Sequence, residues 1–308
     1  MREGTGMRAK GPILLLITAV LWGLAFVAQT SAADGIGPFT FNASRNFVGA
    51  LFLSGVIAWR KRSGQDVAPG GTGYSRRTLW VAGIACGVLL CASSYLQQLG
   101  ITVYPPEAAA SGRSGFVTAT YMVMVAVMGV FLGKRPHPLV FVAVGVALVG
   151  MYLLCVPDGL ESVYLGDWLV LACAFGFALH IIVIDRYTQV DGVRLSRVQL
   201  LVAGGISLAG AVAFEQPTLA LVLAALVPIL YAGICSDGIA YTLQIIGQKT
   251  TDPTVASIIM SLEAVFAALG GWVILSESLS PVELFGCAIV FAAVLLSQVP
   301  ELLGRKRR

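Results

Sequence analysis

Apolar runs of membrane-spanning length, separated by short polar segments, follow one another along almost the whole chain. A transmembrane helix needs about 20 mostly apolar residues. The segments that meet this description are Pro12–Ala33, Pro38–Trp59, Leu79–Ile101, Ala108–Leu132, Leu139–Val156, Leu165–Ile184, Leu195–Phe214, Ala224–Gly247, Thr254–Leu275 and Val282–Val299. The pattern therefore predicts an all-α integral membrane protein with ten transmembrane helices.

The basic residues test this layout, because cytoplasmic loops of membrane proteins carry an excess of Lys and Arg. With the N-terminus in the cytoplasm, every one of the 20 Lys and Arg residues falls in a cytoplasmic segment, except Arg45 and Arg113 inside spans. The charges therefore predict that both termini are cytoplasmic. We expect a multi-pass protein of the inner (cytoplasmic) membrane of a cell.

The composition agrees with a chain that mostly avoids water. Charged residues make up 12% of the 308 residues, whereas a soluble domain has about 25%. The net charge of +4 does not indicate a nucleic-acid partner, because the basic residues are spread over the cytoplasmic segments. All six cysteines lie in apolar runs without a Cys-x-x-Cys pair, so we interpret them as apolar side chains and expect no cofactor.

The ten predicted spans divide into two groups of five, and weak similarity relates the groups. Leu132–Arg135 ends the fourth span and Leu275–Ser278 ends the ninth at the corresponding place. An odd number of spans per group gives the two groups opposite orientations in the membrane. We therefore predict two inverted five-helix repeats, residues 1–157 and 158–308.

Several segments resemble one known family. They are Leu21–Gly23, Gly100–Thr102, Gly115–Tyr121, Gln248–Ser257, Ser261–Trp272 and Leu275–Ser280. These segments are similar to the EamA branch of the drug/metabolite transporter superfamily, and the resemblance covers nearly the whole chain. The sequence departs from that pattern at Lys134, where many members carry an acid matching Glu277 of the second half.

The resemblance implies a secondary transporter that works by alternating access. The expected substrate is a small amphipathic metabolite, such as an amino acid, an amine or a drug-like solute, with export as the expected direction and proton coupling left open. The sequence contains no GxxxxGK[ST] phosphate-binding loop, so we do not expect ATP to drive transport directly. We expect a monomer or homodimer in the lipid bilayer.

Two other classes of function compete with transport. A membrane-embedded enzyme usually shows a metal-binding His/Asp cluster or a Ser/His or carboxylate pair, and we find neither. A non-transporting membrane scaffold needs loops or a soluble domain to present to a partner, and the loops here are short. We therefore predict that the chain is not an enzyme and has no catalytic residues.

Placing an ionisable residue inside a transmembrane span costs free energy, so each such residue is a candidate for a structural or functional role. These residues are Arg45, Arg113, His180, Asp237 and Glu263. Arg45 and Arg113 lie roughly 10 Å from the outer ends of their spans, within reach of the outer interface. They either form a cationic patch that attracts a carboxylate or phosphate, or hold helix ends by pairing with a loop acid such as Glu107.

Asp237 and Glu263 lie near the middle of the eighth and ninth spans. Burial disfavours the charged form of a carboxyl group, so such an acid can take up and release a proton as access alternates. The alternative is an acid that shares a hydrogen bond with a neighbouring helix. His180 can also carry protons or pack against a neighbour, and the only other histidine, His137, lies in a loop, so we predict no metal site.

Aromatic and amide side chains complete the candidate substrate site. They are Trp22, Phe26, Gln29, Tyr95, Gln98, Tyr121, Phe177, Tyr241 and Gln244, joined by Arg45, Arg113 and His180. The Tyr-x-x-Gln spacing that begins at Tyr95 in the third span recurs at Tyr241 in the eighth. We interpret this recurrence as two sides of a pseudo-symmetric pocket for an amphipathic solute. Each aromatic residue has packing or interfacial anchoring as its alternative role.

Overall fold

The computed structural model describes residues 3–64, 74–105, 108–134, 136–155, 163–278 and 280–306. The long helices are α1 (Glu3–Ala32), α2 (Pro38–Arg62), α3 (Arg76–Thr102), α4 (Ala110–Phe131), α5 (Pro138–Cys155), α6 (Leu165–Arg186), α7 (Gly192–Phe214), α8 (Leu226–Gln248), α9 (Pro253–Ile274) and α10 (Pro281–Lys306). A six-residue helix, Leu219–Ala224, precedes α8. Over these ranges the protein contains no β-strand, which confirms the all-α prediction.

Local sequence sets where several helices begin. The Ser75 hydroxyl accepts a hydrogen bond from the Thr78 amide at the start of α3, and the Asp191 carboxylate accepts one from the Arg194 amide at the start of α7. Such side chains satisfy backbone N–H groups that have no partner within the helix. Pro38 occupies the first turn of α2, where its missing N–H is not needed.

Seven of these helices are long and apolar enough to cross a membrane. The other three are α2, α5 and α10. Asn42, Arg45 and Asn46 lower the apolar character of α2. Within the residues whose side chains the structure describes, α5 and α10 contain the apolar helical stretches Pro138–Gly150 and Leu284–Ser297. The described residues thus establish a multi-pass helical protein, and the number of ten spans remains a prediction.

The main helix pairs follow a simple rule. Helix α2 packs on α7, helix α4 on α9, and helix α5 on α10. Helix α3 packs on α6, and the corresponding pair five places further along the chain is α8 with α1. The contacts of α3 with α7 and of α1 with α9 likewise have counterparts in α8 with α2 and α6 with α4. Replacing each helix by the one five places away therefore leaves the same pairs.

Helices α4 and α9 also share an interruption and an ending. Helix α4 is interrupted at Thr120, and α9 is interrupted between Met260 and Glu263. Just beyond their C-terminal ends, Gly133 has φ +78° and Ser276 has φ +58°. A left-handed residue after a helix end is common for glycine and unusual for serine. The two segments correspond in sequence, and the backbone has the same conformation at both.

Candidate functional site

A narrow cavity of about 30 Å³ lies at the centre of the bundle. It is lined by Trp22, Ala25, Phe26, Gln29, Arg45, Gln97, Thr118, Tyr121, Phe177, His180, Ile181, Ser236, Tyr241, Gln244 and Glu263. These residues come from α1, α2, α3, α4, α6, α8 and α9, so both halves of the chain contribute. The charged side chains are almost fully buried, with Arg45 and Glu263 each 3% exposed.

The cavity is surrounded by polar atoms that have no hydrogen-bond partner among the described residues. The donors are Trp22 Nε1, Arg45 Nη1 and Tyr121 OH, and the acceptors are Gln29 Oε1, Gln244 Oε1 and Glu263 Oε1. A buried polar group left without a partner costs about 1–3 kcal/mol, and native proteins contain few of them. Six such atoms line this one cavity, so it suits a polar solute or water.

Arg45 forms a buried ion pair with Asp237. Arg45 Nη2 donates to Asp237 Oδ1 at 2.7 Å, and Nε donates to Oδ2 at 3.0 Å. Asp237 lies on Tyr231–Ala240, a π-helical stretch of α8, which is a rare conformation often found at functional sites. Arg45 therefore faces the cavity and does not extend to the outer interface as the sequence suggested.

Aromatic rings close one side of the cavity. The rings of Trp22 and Tyr241 lie 4.9 Å apart and are tilted by 60°. His180 meets the Tyr241 ring edge-on at 5.8 Å, and its Nε2 lies 3.0 Å from Gln199 Oε1. His180 thus has one polar partner outside the cavity while it lines the cavity beside Phe177.

Glu263 begins the second part of α9 and reaches the cavity directly after the interruption in that helix. Tyr121 begins the second part of α4 and lines the same cavity. The two interrupted helices therefore bring an acid and a phenol to one place. The Tyr121 hydroxyl lies next to the Glu263 carboxyl group, but the two form no hydrogen bond of ordinary geometry. Glu263 can therefore accept a hydrogen bond from a solute or carry a proton.

Four of the predicted site residues do not line the cavity. Tyr95 stacks on Phe39 at 3.9 Å, and Gln98 donates to the Gln29 carbonyl oxygen at 3.2 Å. Asp237 lies behind Arg45. The fourth residue, Arg113, is held in an ion pair elsewhere in the bundle.

Arg113 binds an acid outside the central cavity. Its Nε donates to Asp167 Oδ1 at 2.7 Å, its Nη2 donates to Oδ2 at 2.7 Å, and its guanidinium lies 4.7 Å from the centre of the Tyr164 ring. The structure thus pairs Arg113 with an acid of α6. The loop acid Glu107 lies outside the described residues. This arrangement supports a role in holding α4 against α6.

The recurring Tyr-x-x-Gln pattern does not produce two equivalent pocket walls. Tyr241 and Gln244 line the cavity, but Tyr95 and Gln98 do not. Gln97 lines it instead, and its Nε2 donates to Thr118 Oγ1 at 3.1 Å. One residue changes the direction of a helical side chain by about 100°, so the motif pointed to the correct helix but the wrong amide.

The cavity residues that the sequence did not indicate are Ala25, Gln97, Thr118, Ile181 and Ser236. Most are small or apolar residues of kinds that occur throughout membrane helices. Gln97 was the exception, since it is an amide within an apolar run. The remaining predicted residues, including Phe26, line the cavity.

A second, wider cavity lies near the C-terminal end of α4, between Lys134, Asp185 and Asp252. Lys134 Nζ pairs with Asp185 Oδ2 at 2.6 Å. Lys249 Nζ donates to the Val190 carbonyl oxygen at 2.8 Å, and burial lowers the pKa of Lys249. This cavity is open and is lined by both polar and apolar side chains, which suits a vestibule.

Comparison with known proteins assigns the chain to a class. The model of the EamA-like transporter family matches residues 9–156 and again 164–298. The chain therefore belongs to the EamA-like transporter family, and with its apolar helices it is a multi-pass membrane protein of a transporter family, not of an enzyme family.

Two individual proteins are similar to the chain. An "Uncharacterized transporter" of Archaeoglobus fulgidus is 26% identical over 284 residues, which cover 92% of this chain and 83% of that protein. A solved structure described as "Crystal structure of protein" superposes with a TM-score of 0.75 at 19% identity, covering 97% of this chain and 99% of that one. The second likeness shows a shared fold.

Proposed function

We propose that the protein is a secondary transporter that moves a small amphipathic metabolite across the cytoplasmic membrane by alternating access. The substrate is an amino acid, an amine or a drug-like solute, and the direction is export. The ten helices cross the membrane as two inverted five-helix repeats, residues 1–157 and 158–308, with both termini cytoplasmic. The protein acts as a monomer or homodimer and binds no nucleic acid.

The observation that carries this proposal is the central cavity with its unpartnered polar atoms. Trp22, Phe177 and Tyr241 offer apolar and aromatic faces, while Gln29 and Gln244 offer free acceptors. A site with both kinds of surface suits a solute that is partly apolar and partly polar. The cavity is buried near the middle of the bundle, which is where an alternating-access transporter holds its solute.

The helix pairing supports the mechanism. Because the pairs are unchanged when the two halves are exchanged, each half can adopt the arrangement of the other at similar energy. The vestibule near Lys134 and Asp252 provides a wide approach at one end of the bundle. Opening of the opposite end would complete the transport path.

If transport is coupled to protons, we place the coupling on Glu263. Asp237 is already held by Arg45, so its carboxylate has a permanent cationic partner. Glu263 has no ion-pair partner among the described residues and faces the solute cavity, so solute and proton can compete for it. Glu263→Gln removes the titrating group but keeps its size.

A ligand screen tests the proposed function. Purified protein is heated in detergent with amino acids, amines and quaternary ammonium compounds, because a ligand of the folded state raises the melting temperature. We expect a stabilising solute whose effect is lost in Gln244→Leu and kept in Tyr95→Phe, which lies outside the cavity. The same solute should exchange across liposomes containing the protein. If no solute stabilises the protein or crosses, the proposal is wrong.

Coupling is tested in the same liposomes with an imposed pH gradient. We expect the gradient to accelerate transport by the wild type, and we expect Glu263→Gln to transport at a rate independent of the gradient. The matched control is Glu277→Gln, an acid outside the cavity. If Glu263→Gln responds to the gradient as the wild type does, Glu263 does not couple transport to protons.

A further inference from the structure

An apolar groove lies on the outer surface of the bundle, between α2 and the π-helical part of α8. Its lining is Val48, Leu51, Phe52, Gly55, Val56, Trp59, Leu230 and Ile234. Leu51 is 75% exposed and Trp59 is 61% exposed. No protein atom lies within 4 Å of a Cβ built on Gly55, so the groove is open at that point.

The length of the groove matches one leaflet of a bilayer. About 16 Å of helix separates Val48 from Trp59 at 1.5 Å per residue. Half of the hydrocarbon core measures about 15 Å. Tryptophan prefers the boundary between the hydrocarbon and the headgroups, so Trp59 marks the end of the groove at that boundary. A groove of this length accommodates one lipid acyl chain.

Basic side chains lie directly beyond the Trp59 end of the groove. Arg60 is engaged with Asp191, its Nη1 lying 3.2 Å from Asp191 Oδ2. Lys61 and Arg62 are exposed. Arg62 follows Gly55 by seven residues, or two helical turns, so it lies on the face of α2 that forms the groove. The acyl-chain groove therefore ends at the guanidinium of Arg62 on the same helix face, and Lys61 is its neighbour in sequence.

We propose that this groove binds an anionic phospholipid, with one acyl chain between α2 and α8 and the headgroup phosphate at Lys61 and Arg62. The apolar lining matches the chain, and the basic end matches the negative headgroup. The inference rests on the membrane orientation of the proposed function, but not on transport itself.

The inner side of the groove wall gives the lipid a structural consequence. Val48 packs against Gly233, and Phe52 packs against Gly238, both in the π-helical stretch that carries Asp237. A lipid acyl chain in the groove therefore covers the side chains that hold α2 against the π-helical stretch of α8. Bound lipid should stabilise the packing of α2 on α8.

The test uses the purified full-length protein and two lipids, phosphatidylglycerol and phosphatidylcholine, with binding counted by native mass spectrometry. Gly55→Leu fills the groove. Gly205→Leu on α7 is the control, because a Cβ placed on Gly205 also meets no atom within 4 Å. If the leucine side chain displaces two methylenes of the lipid acyl chain, the affinity for the lipid falls roughly tenfold. We expect that loss in Gly55→Leu and wild-type binding in Gly205→Leu.

The headgroup is tested with Lys61→Gln and Arg62→Gln. Each lost charge should reduce the preference for phosphatidylglycerol over phosphatidylcholine by roughly fivefold. The inference is overturned if Gly55→Leu binds lipid as well as Gly205→Leu, or if the wild type shows no preference between the lipids. It is also overturned if Gly55→Leu changes the oligomeric state, since a second copy then occupies the groove.

Transport by the same preparations separates this inference from the proposed function. Selective lipid binding by a protein that transports no solute contradicts only the proposed function. Transport by the wild type together with unselective lipid binding contradicts only the lipid site.

Discussion

At the scale of single residues, the buried pair of Arg45 and Asp237 changes the interpretation of both charges. The sequence left open whether Arg45 forms an outer cationic patch or pairs with a loop acid, and whether Asp237 carries protons or bonds to a neighbouring helix. The two residues are 192 positions apart, yet their side chains meet at 2.7 Å with 4% and 1% exposure. Each charge therefore makes the other tolerable in an apolar bundle.

We expect Asp237→Asn to lower the stability by about 3–5 kcal/mol, because it leaves the Arg45 charge buried without a counter-ion. Replacing both residues with apolar ones, as in Arg45→Met with Asp237→Leu, should recover most of this loss. Arg60→Gln is the control, since its pair with Asp191 is partly exposed and worth at most about 1 kcal/mol. Thermal unfolding in detergent compares these variants with the wild type; additive losses in the double variant would contradict the coupling.

At the scale of helices, the departure at Lys134 has a structural explanation. Glu277, beyond the end of α9, accepts hydrogen bonds from the Ser111 hydroxyl and from the Ser111 amide at 3.3 Å, so it caps α4. The equivalent Lys134 cannot accept, and it pairs with Asp185 instead. Helix α9 is capped by its own Asp252, which accepts from the Thr254 amide at 2.9 Å.

Removal of this cap should be measurable. We expect Glu277→Ala to destabilise the protein by about 1–2 kcal/mol, because two donors at the start of α4 lose their acceptor. Lys134→Ala should cost less than about 1 kcal/mol, since that pair is roughly one-third exposed. A chemical denaturation series compares the two variants, and the prediction is wrong if Lys134→Ala is the more damaging.

The contact between α2 and α8 depends on glycine. A Cβ on Gly49 would lie 2.7 Å from the Gly233 carbonyl oxygen, closer than packed atoms allow. We expect Gly49→Ala to cost about 1–3 kcal/mol through overpacking. At the open position Gly205, alanine should instead stabilise α7 by about 0.5–1 kcal/mol. Equal melting temperatures for the two variants would contradict the close contact.

At the scale of the whole molecule, two observations concern how the chain is oriented in the membrane. They are the equivalence of the helix pairs in the two halves and the placement of the basic residues. The positive charges predict which end of the bundle is cytoplasmic, and the helix pairs relate the two halves. Neither observation depends on the substrate. The orientation can therefore be tested before any solute is known.

The orientation predicts which positions face the cell exterior. A membrane-impermeant thiol reagent added to intact cells should label Gln216→Cys, between α7 and α8, and should not label Ser75→Cys at the start of α3. Both positions are exposed in the fold, and the cysteines of the described residues are largely buried. Permeabilised cells serve as the control, in which both positions should react. Labelling in the opposite order would reverse the proposed topology.

The helices and their order follow from the sequence alone, because apolar length and charge asymmetry are local properties of the chain. The sequence also indicated Trp22, Tyr121 and Glu263 as cavity residues, since polar and aromatic groups inside apolar runs are conspicuous. Only the tertiary structure decided that Gln97 and not Gln98 reaches the cavity, and that Arg45 faces Asp237. Those choices depend on helix rotation, on the π-helical register of α8 and on contacts between distant segments, which no local pattern encodes.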